Sequence, residues 1–242
     1  MKYKAFILLI VSLLFSACEI DNNNDSSNNK GDIPPVLANQ KRSNAEVLYC
    51  NHSTGYKYVC EMRFYSIDSE DGTVYANIPS YPRVEANGID KPIFFGNNMG
   101  FTWNGFLSFK TSELPFFATP VVSFLTFSFE KHEHYSTPAD FLMKHMYVDV
   151  ASKQGFNNNY ALEWTDLHAA PAFSCVLEAC GINGNWIHIP ENFINMNGRT
   201  QFRLRTEDNQ YMNYYEIKLN SFQDPVPQLM VIFEFDVRDI MI

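Results

Sequence analysis

Three histidines stand close together in the middle of the chain. His132 and His134, in "KHEHY", share one face of an extended segment, and His145 follows after ten intervening residues. Three imidazoles with Glu133 or Asp140 nearby have the composition of a transition-metal site. No second ligand motif accompanies them, so the competing reading is a strand running out into a polar loop, with histidines at the sheet rim. His168 and His188 have no close partner and read as structural. A second cluster, "DSEDG" at 68–72, gathers carboxylates before a glycine, as hard cations require. It departs from the EF-hand pattern, because the twelfth position counted from Asp68 is Pro79 and not a bidentate glutamate. A turn leading into "TVYANI" is the simpler account, and a structural calcium assembled from distant loops is the alternative.

Catalytic signatures are absent from the sequence. It contains no G-x-S-x-G, no H-E-x-x-H and no glycine-rich phosphate loop opening a helix. Glu113, Glu163 and Glu178 could serve glycoside cleavage only at a separation in space that sequence does not reveal, and nothing singles out a pair. The expectation is a protein that is not an enzyme and needs no cofactor. Binding chemistry is better represented. Trp103, Trp164, Tyr160, Tyr211, Tyr214 and Tyr215 sit at or beside loops, where aromatic rings can stack on sugars, although most aromatics of a β-sandwich are core. "DNQYMNYYE" mixes hydrogen-bonding groups with three tyrosines. Tyr211, Tyr214 and Tyr215, with Trp103 and Trp164, are therefore the candidate ligand-binding residues.

Cysteine use points to export. Of five cysteines, Cys18 stands apart, and the other four permit three pairings. Proximity in sequence selects Cys50 with Cys60, across a hairpin whose turn is "NHSTG", and Cys175 with Cys180 around "VLEA". A four-thiolate zinc site is the rival, but neither spacing is the two-residue clip of such sites.

Lys2 and Lys4, an apolar stretch from Ala5 to Phe15, and the small residues Ser16 and Ala17 precede Cys18. The apolar stretch is short of the roughly 20 residues of a membrane span. This order of parts resembles a bacterial lipoprotein signal, with Phe15 where Leu, Val or Ile is usual. The resemblance implies removal of residues 1–17, a diacylglyceryl group on the Cys18 thiol, and attachment to a membrane through that lipid. Glu19 in place of the aspartate linked to inner-membrane retention implies the outer membrane or cell surface. The alternative is an ordinary secretory signal cut near Ala17, with Cys18 left free.

The processed chain retains 16 basic and 27 acidic residues, a formal charge of −11, because residues 1–17 carry two lysines and no acid. No basic cluster is present to neutralise phosphates, which excludes nucleic acid as the expected partner. The same balance disfavours an electrostatic grip on anionic lipid and leaves acyl chains as the attachment. Residues 18–44, "CEIDNNNDSSNNKGDIPPVLANQKRSN", are rich in Asn, Ser and Asp and read as a flexible, disordered tether spanning about 30 Å.

From residue 45 the pattern changes to period two. "YKYVCEMRFYSI" places Tyr56, Tyr58, Cys60, Met62 and Phe64 opposite Lys57, Glu61 and Arg63. "VVSFLTFSFE" sets Val121, Leu125, Phe127 and Phe129 against Thr126, Ser128 and Glu130. "QFRLRTE" sets Phe202 and Leu204 against Gln201, Arg203 and Arg205, and "QLMVIFEFD" aligns Leu229, Val231, Phe233 and Phe235. Aromatics make up 15% of the chain, which also favours strands. About a dozen short strands separated by Gly, Pro and Asn clusters predict an all-β antiparallel sandwich or jelly roll over 45–242. One helical turn is expected near Pro138–Met146, and no repeat of fixed period is present. A division near residue 90 is the alternative.

The order "NGFLSFKTSELP", "ATPVVSFLTFSF", "NGNWIHIP", "NGRTQFRLRTED" and "NSFQDPVPQLMVIFEF" resembles the DNRLRE-type domains, jelly-roll modules related to carbohydrate-binding modules. Phe106, Leu107, Phe109, Leu114, Pro115, Leu125, Phe127, Trp186, Ser221, Pro227, Leu229 and Val231 carry the resemblance, over roughly residues 70–236. Gln223 stands where that family has Glu, and His188-Ile189-Pro190 where it has Asp-Val-Thr. The resemblance implies binding or display at the cell surface, of polysaccharide above all. The second expectation is an adhesive lipoprotein whose partner is another envelope protein, engaged along a sheet edge.

Overall fold

Alternating apolar and polar residues build strands, and among the described residues fifteen form, all of them paired antiparallel. The computed structural model describes residues 33–53, 55–77, 83–86, 92–98, 101–128, 130–131, 145–180, 182–183, 186–207, 214–217 and 226–240. One sheet has six strands in the order β1 (Ala45–His52), β2 (Lys57–Tyr65), β15 (Gln228–Asp236), β7 (Thr119–Thr126), β12 (Trp186–Ile189) and β11 (Ile182–Asn183). The other runs β10 (Phe173–Val176), β9 (Met146–Val150), β13 (Thr200–Thr206), β6 (Phe101–Phe109), β5 (Ile93–Asn98), β14 (Tyr214–Ile217) and β8 (Glu130–Lys131). β3 (Gly72–Asn77) takes the second edge of β6, and β4 (Arg83–Ala86) pairs with β3.

The sheets pack as a sandwich. Leu107, Phe109, Val148, Phe202 and Leu204 from one meet Met62, Phe64, Leu125, Val231 and Phe233 from the other, all at 0% exposure. Each such side chain contributes about 2 kcal/mol by leaving water, so this layer dominates the stability. The alternation in β2, β13 and β15 is as the sequence reads, with two local corrections. Tyr56 precedes β2 and is exposed. Val121 does not share the face of Leu125: Ile232 opposes Val122 and Phe233 opposes Pro120, so Val121 is the extra residue of a bulge and turns outward.

The polar face of β13, expected to be wet, is covered. Residues 151–172 lie over it, and Ala151, Phe156, Leu167 and Ala169 bury a second small core with Val74 and Phe106. Arg203 fastens this layer. Its Nε and Nη2 donate to Asp149 Oδ2 at 2.8 and 2.6 Å, its Nη1 donates to the carbonyls of Asp166 and Ala169 at 2.8 and 2.9 Å, and its guanidinium lies 4.9 Å from the Phe156 ring. Arg205 Nε and Ser174 Oγ complete the shell around Asp149.

Residues 33–44, read from sequence as tether, pack on the sandwich. Ile33, Val36 and Leu37 recur at the i, i+3, i+4 spacing of a single turn, α1 (Pro35–Ala38), which has Pro35 in its first turn. Leu37 is fully buried, and Arg42 Nη1 donates to its carbonyl at 2.9 Å. One turn is too short to register as periodicity, which is why composition misled there. Residues 1–32, with Cys18 and the signal, lie outside the described residues, as do residues 138–144 of the expected helical turn; Met146 opens β9. Gly31–Ile242 forms one compact unit, so the chain does not divide near residue 90. Both expected disulfides are present. Cys50–Cys60 joins directly opposed residues of β1 and β2, and Cys175–Cys180 closes the turn after β10, which excludes the zinc alternative.

Candidate functional site: an aromatic row on the nine-stranded sheet

The first half of β6 carries Phe101 and Trp103 on one face, and antiparallel pairing sets Trp103 opposite Tyr75 of β3. Tyr75 and Trp103 stack with ring centres 4.2 Å apart and planes 19° from parallel. Phe94 meets Trp103 edge-on at 5.8 Å, and Phe101 lies 5.9 Å away, tilted. All four residues are half-buried. Register extends the row. Tyr214 opposes Gly96, Gly96 opposes Trp103, Trp103 opposes Tyr75, and Tyr75 opposes Arg83, across β14, β5, β6, β3 and β4.

Two glycines make this geometry possible. Gly96 sits at φ 121°, a conformation other residues avoid, and leaves a gap in the row between the Trp103 and Tyr214 positions. Gly105 lies where the sheet forks, since one edge of β6 pairs with β5 over 101–103 and with β13 over 105–109. A Cβ there would stand 2.8 Å from Ile93 Cγ2 and 3.3 Å from the Phe94 carbonyl oxygen, so only glycine lets β5 cross this closely. Asn97 Nδ2 closes the fork, donating to Thr206 Oγ1 at 3.0 Å and to the Glu207 carbonyl at 3.3 Å.

Of the residues expected from sequence, Trp103 is in the row and Tyr214 occupies a register position in it. Tyr215 is the next residue of β14, opposite Phe95 and Lys131, and Tyr211 lies outside the described residues. Trp164 is not part of the group. It is 58% exposed on a 3-10 turn whose Leu167 packs with Val74, on the covered side of the sheet. Tyr160 is engaged in the covering layer, donating to the Lys153 carbonyl beneath Arg199. Sequence reasoning missed Tyr75, Phe94 and Phe101, which read as ordinary strand residues. The available signal was the aromatic pair two residues apart in "GFTW", just after "GNNM".

The metal candidates divide. His132 and His134 lie outside the described residues. His145 Nδ1 stands 3.0 Å from Glu207 Oε2, and the Tyr147 hydroxyl donates to the other oxygen at 3.0 Å; these hydrogen bonds hold the Glu207 carboxyl below its ordinary range. Among the described residues no group of three His, Cys, Asp or Glu is placed to hold a metal ion. "DSEDG" is a turn, as the simpler account had it. Asp71 accepts the Ser108 N–H at 2.8 Å, and Glu70 accepts the Ser108 hydroxyl and pairs with Arg199. Burial pushes the Asp71 carboxyl well above its ordinary value, although hydrogen bonds from Ser66 and Ser108 oppose the shift. His188 rests against Phe124, and its burial lowers its basicity, consistent with a structural role. Glu113 binds Ser43, Glu163 caps the 3-10 turn at Trp164, and Glu178 is exposed.

No family model, curated protein or solved structure matches the chain. The chemistry of the row must therefore speak for itself. Flat, half-buried aromatic residues with an exposed arginine at one end suit a ligand that has apolar faces and polar rims.

Proposed function

We propose that this chain is an exported, lipid-anchored envelope protein whose β-sandwich binds extracellular polysaccharide without catalysis. The observation that carries the proposal is the Tyr75–Trp103 stack, flanked by Phe94 and Phe101 and continued in register toward Tyr214. A pyranose ring offers a C–H face that lies flat on an aromatic ring and hydroxyls that reach donors such as Arg83. Two disulfides support an oxidising compartment. Cys18, with its apolar and small-residue approach, supplies the attachment, and Glu19 favours the outer membrane or cell surface.

A second reading, a partner envelope protein added along β1, draws support from that strand's place at the edge of the six-stranded sheet. A bulge at Leu48 interrupts its register and blunts the edge, which leaves the polysaccharide reading the stronger.

The test is a glycan array and titration calorimetry on the full chain. Trp103→Ala and Tyr75→Ala should each weaken glycan binding about tenfold, the loss of one stacked ring, with melting temperature tracked as a control. Retention of no glycan, with recovery of a single envelope protein in a pull-down, overturns the polysaccharide reading in favour of the second.

A further inference from the structure

Where β2 begins and β15 ends, Ile33, Pro34, Val36, Tyr58, Val237 and Ile240 line a shallow apolar groove of about 480 Å³. A run of ring contacts leads out of it. Tyr58 stacks on Phe235 at 5.4 Å, Phe235 meets Phe117 at 5.2 Å, and Phe117 meets Phe116 at 5.2 Å. Phe116 ends the run at 88% exposure, and Tyr56, whose carbonyl accepts the Val237 N–H, is 59% exposed. Arg238 lies over the Tyr56 ring and pairs with Asp236, with Lys57 and Asp239 beside them. Those four charges cancel, in a chain whose formal charge is −9.

We infer that this end of the six-stranded sheet seats on the surface of a lipid bilayer, with Phe116 in the headgroup boundary and Tyr56 and Arg238 at its rim. The inference rests on the lipid anchor proposed above. The chain itself argues for this occupant. Residues 19–32 separate Cys18 from Ile33, a contour of at most about 50 Å, so Ile33, which lines the groove, is the described residue nearest along the chain to an anchored Cys18. Exposed aromatics bordered by basic side chains are the mixture that membrane interfaces accept. With Glu234 next along β15 the patch carries about one net negative charge, so anionic headgroups repel it less than they repel the acidic remainder.

The protein, expressed in a bacterium from the complete sequence with its signal and mixed with phosphatidylethanolamine–phosphatidylglycerol vesicles, tests the inference. Phe116→Trp adds a fluorophore at the tip. Its added emission should shift to the blue and be quenched by lipid brominated near the top of the acyl chains, as expected for insertion of about 5–10 Å. Phe116→Ser, at a site that supports no core, should lower the docked population about tenfold by removing one phenyl transfer from water, read as lost vesicle-dependent hydrogen-exchange protection around residues 56–58 and 116–118. Unquenched emission from protein that still floats with the vesicles overturns the docking and leaves the anchor standing. Protein that does not float, with an unmodified Cys18 by mass spectrometry, overturns the anchor and the docking together. A Phe116-dependent dimer whose emission stays unquenched on vesicles gives the patch to a second copy of the chain and also overturns the inference.

Discussion

Replacing Arg203 with methionine tests whether one buried cation holds the covering layer to the sheet. Arg203 is 4% exposed and Asp149 is fully buried. The substitution keeps most of the apolar volume and removes two charge-assisted bonds to Asp149, two bonds to the carbonyls of residues 166 and 169, and the contact with Phe156. Asp149 keeps Arg205 and Ser174, yet part of its charge is left buried and unbalanced. Breaking a buried pair from one side costs about 3–5 kcal/mol, a large share of the roughly 5–15 kcal/mol that holds a domain together. For a domain of this size that is a fall of about 10–15 °C in Tm. Calorimetry measures the fall, and hydrogen exchange should place the loosening in residues 151–172. The pH dependence gives a second readout. Burial alone would raise the Asp149 carboxyl, but bonds from Arg205, Ser174 and Arg203 and the Arg203 charge outweigh it and hold the group below its ordinary value. The stability this contributes is complete above the unfolded value near 3.9 and is lost as pH falls through the lower folded value, so Arg203→Met should flatten the acid limb of the Tm–pH curve. A Tm change below about 3 °C with an unaltered acid limb refutes the reasoning.

Gly105→Ala should cost about 1–3 kcal/mol by pushing Ile93 and β5 off the fork, and it should weaken glycan binding because Phe94 moves with β5; chemical denaturation showing no loss contradicts the close crossing. Asp71→Asn keeps the acceptor for the Ser108 N–H. Because the folded Asp71 carboxyl is raised, its stability contribution is complete below about pH 3.9 and is lost as pH climbs toward the folded value, so the variant should gain on the wild type from pH 3 to pH 7 in thermal melts. Leu37→Ala should destabilise by about 2–4 kcal/mol in urea, the cost of a buried cavity, whereas a true tether residue would cost nothing.

The alternation in "QFRLRTE" and "QLMVIFEFD" was enough to assign faces to β13 and β15, because neighbouring side chains on an extended backbone point to opposite sides whatever the strand pairs with. The disulfides were legible for a similar reason: partners ten and five positions apart in the chain are brought together by one hairpin and one turn. The site was not legible. Tyr75, Phe94 and Trp103 meet, and Tyr214 takes a register position in line with them, through the pairing of β3, β5, β6 and β14, and no single segment records which residues will lie opposite one another. Nor does a segment record what will cover it. Arg203 alternates as a solvent-facing residue should, and it is buried because residues 151–172 fold over it; Leu37 lies in a short apolar stretch, "IPPVLA", too brief to show a period, and it is buried because that turn packs against the sandwich core. Sequence alone determined the strands, their inward faces and the local cross-links, all properties of a backbone and its near neighbours. The aromatic row, the buried charge and the docked N-terminal turn depended on long-range packing, which only the tertiary structure decides.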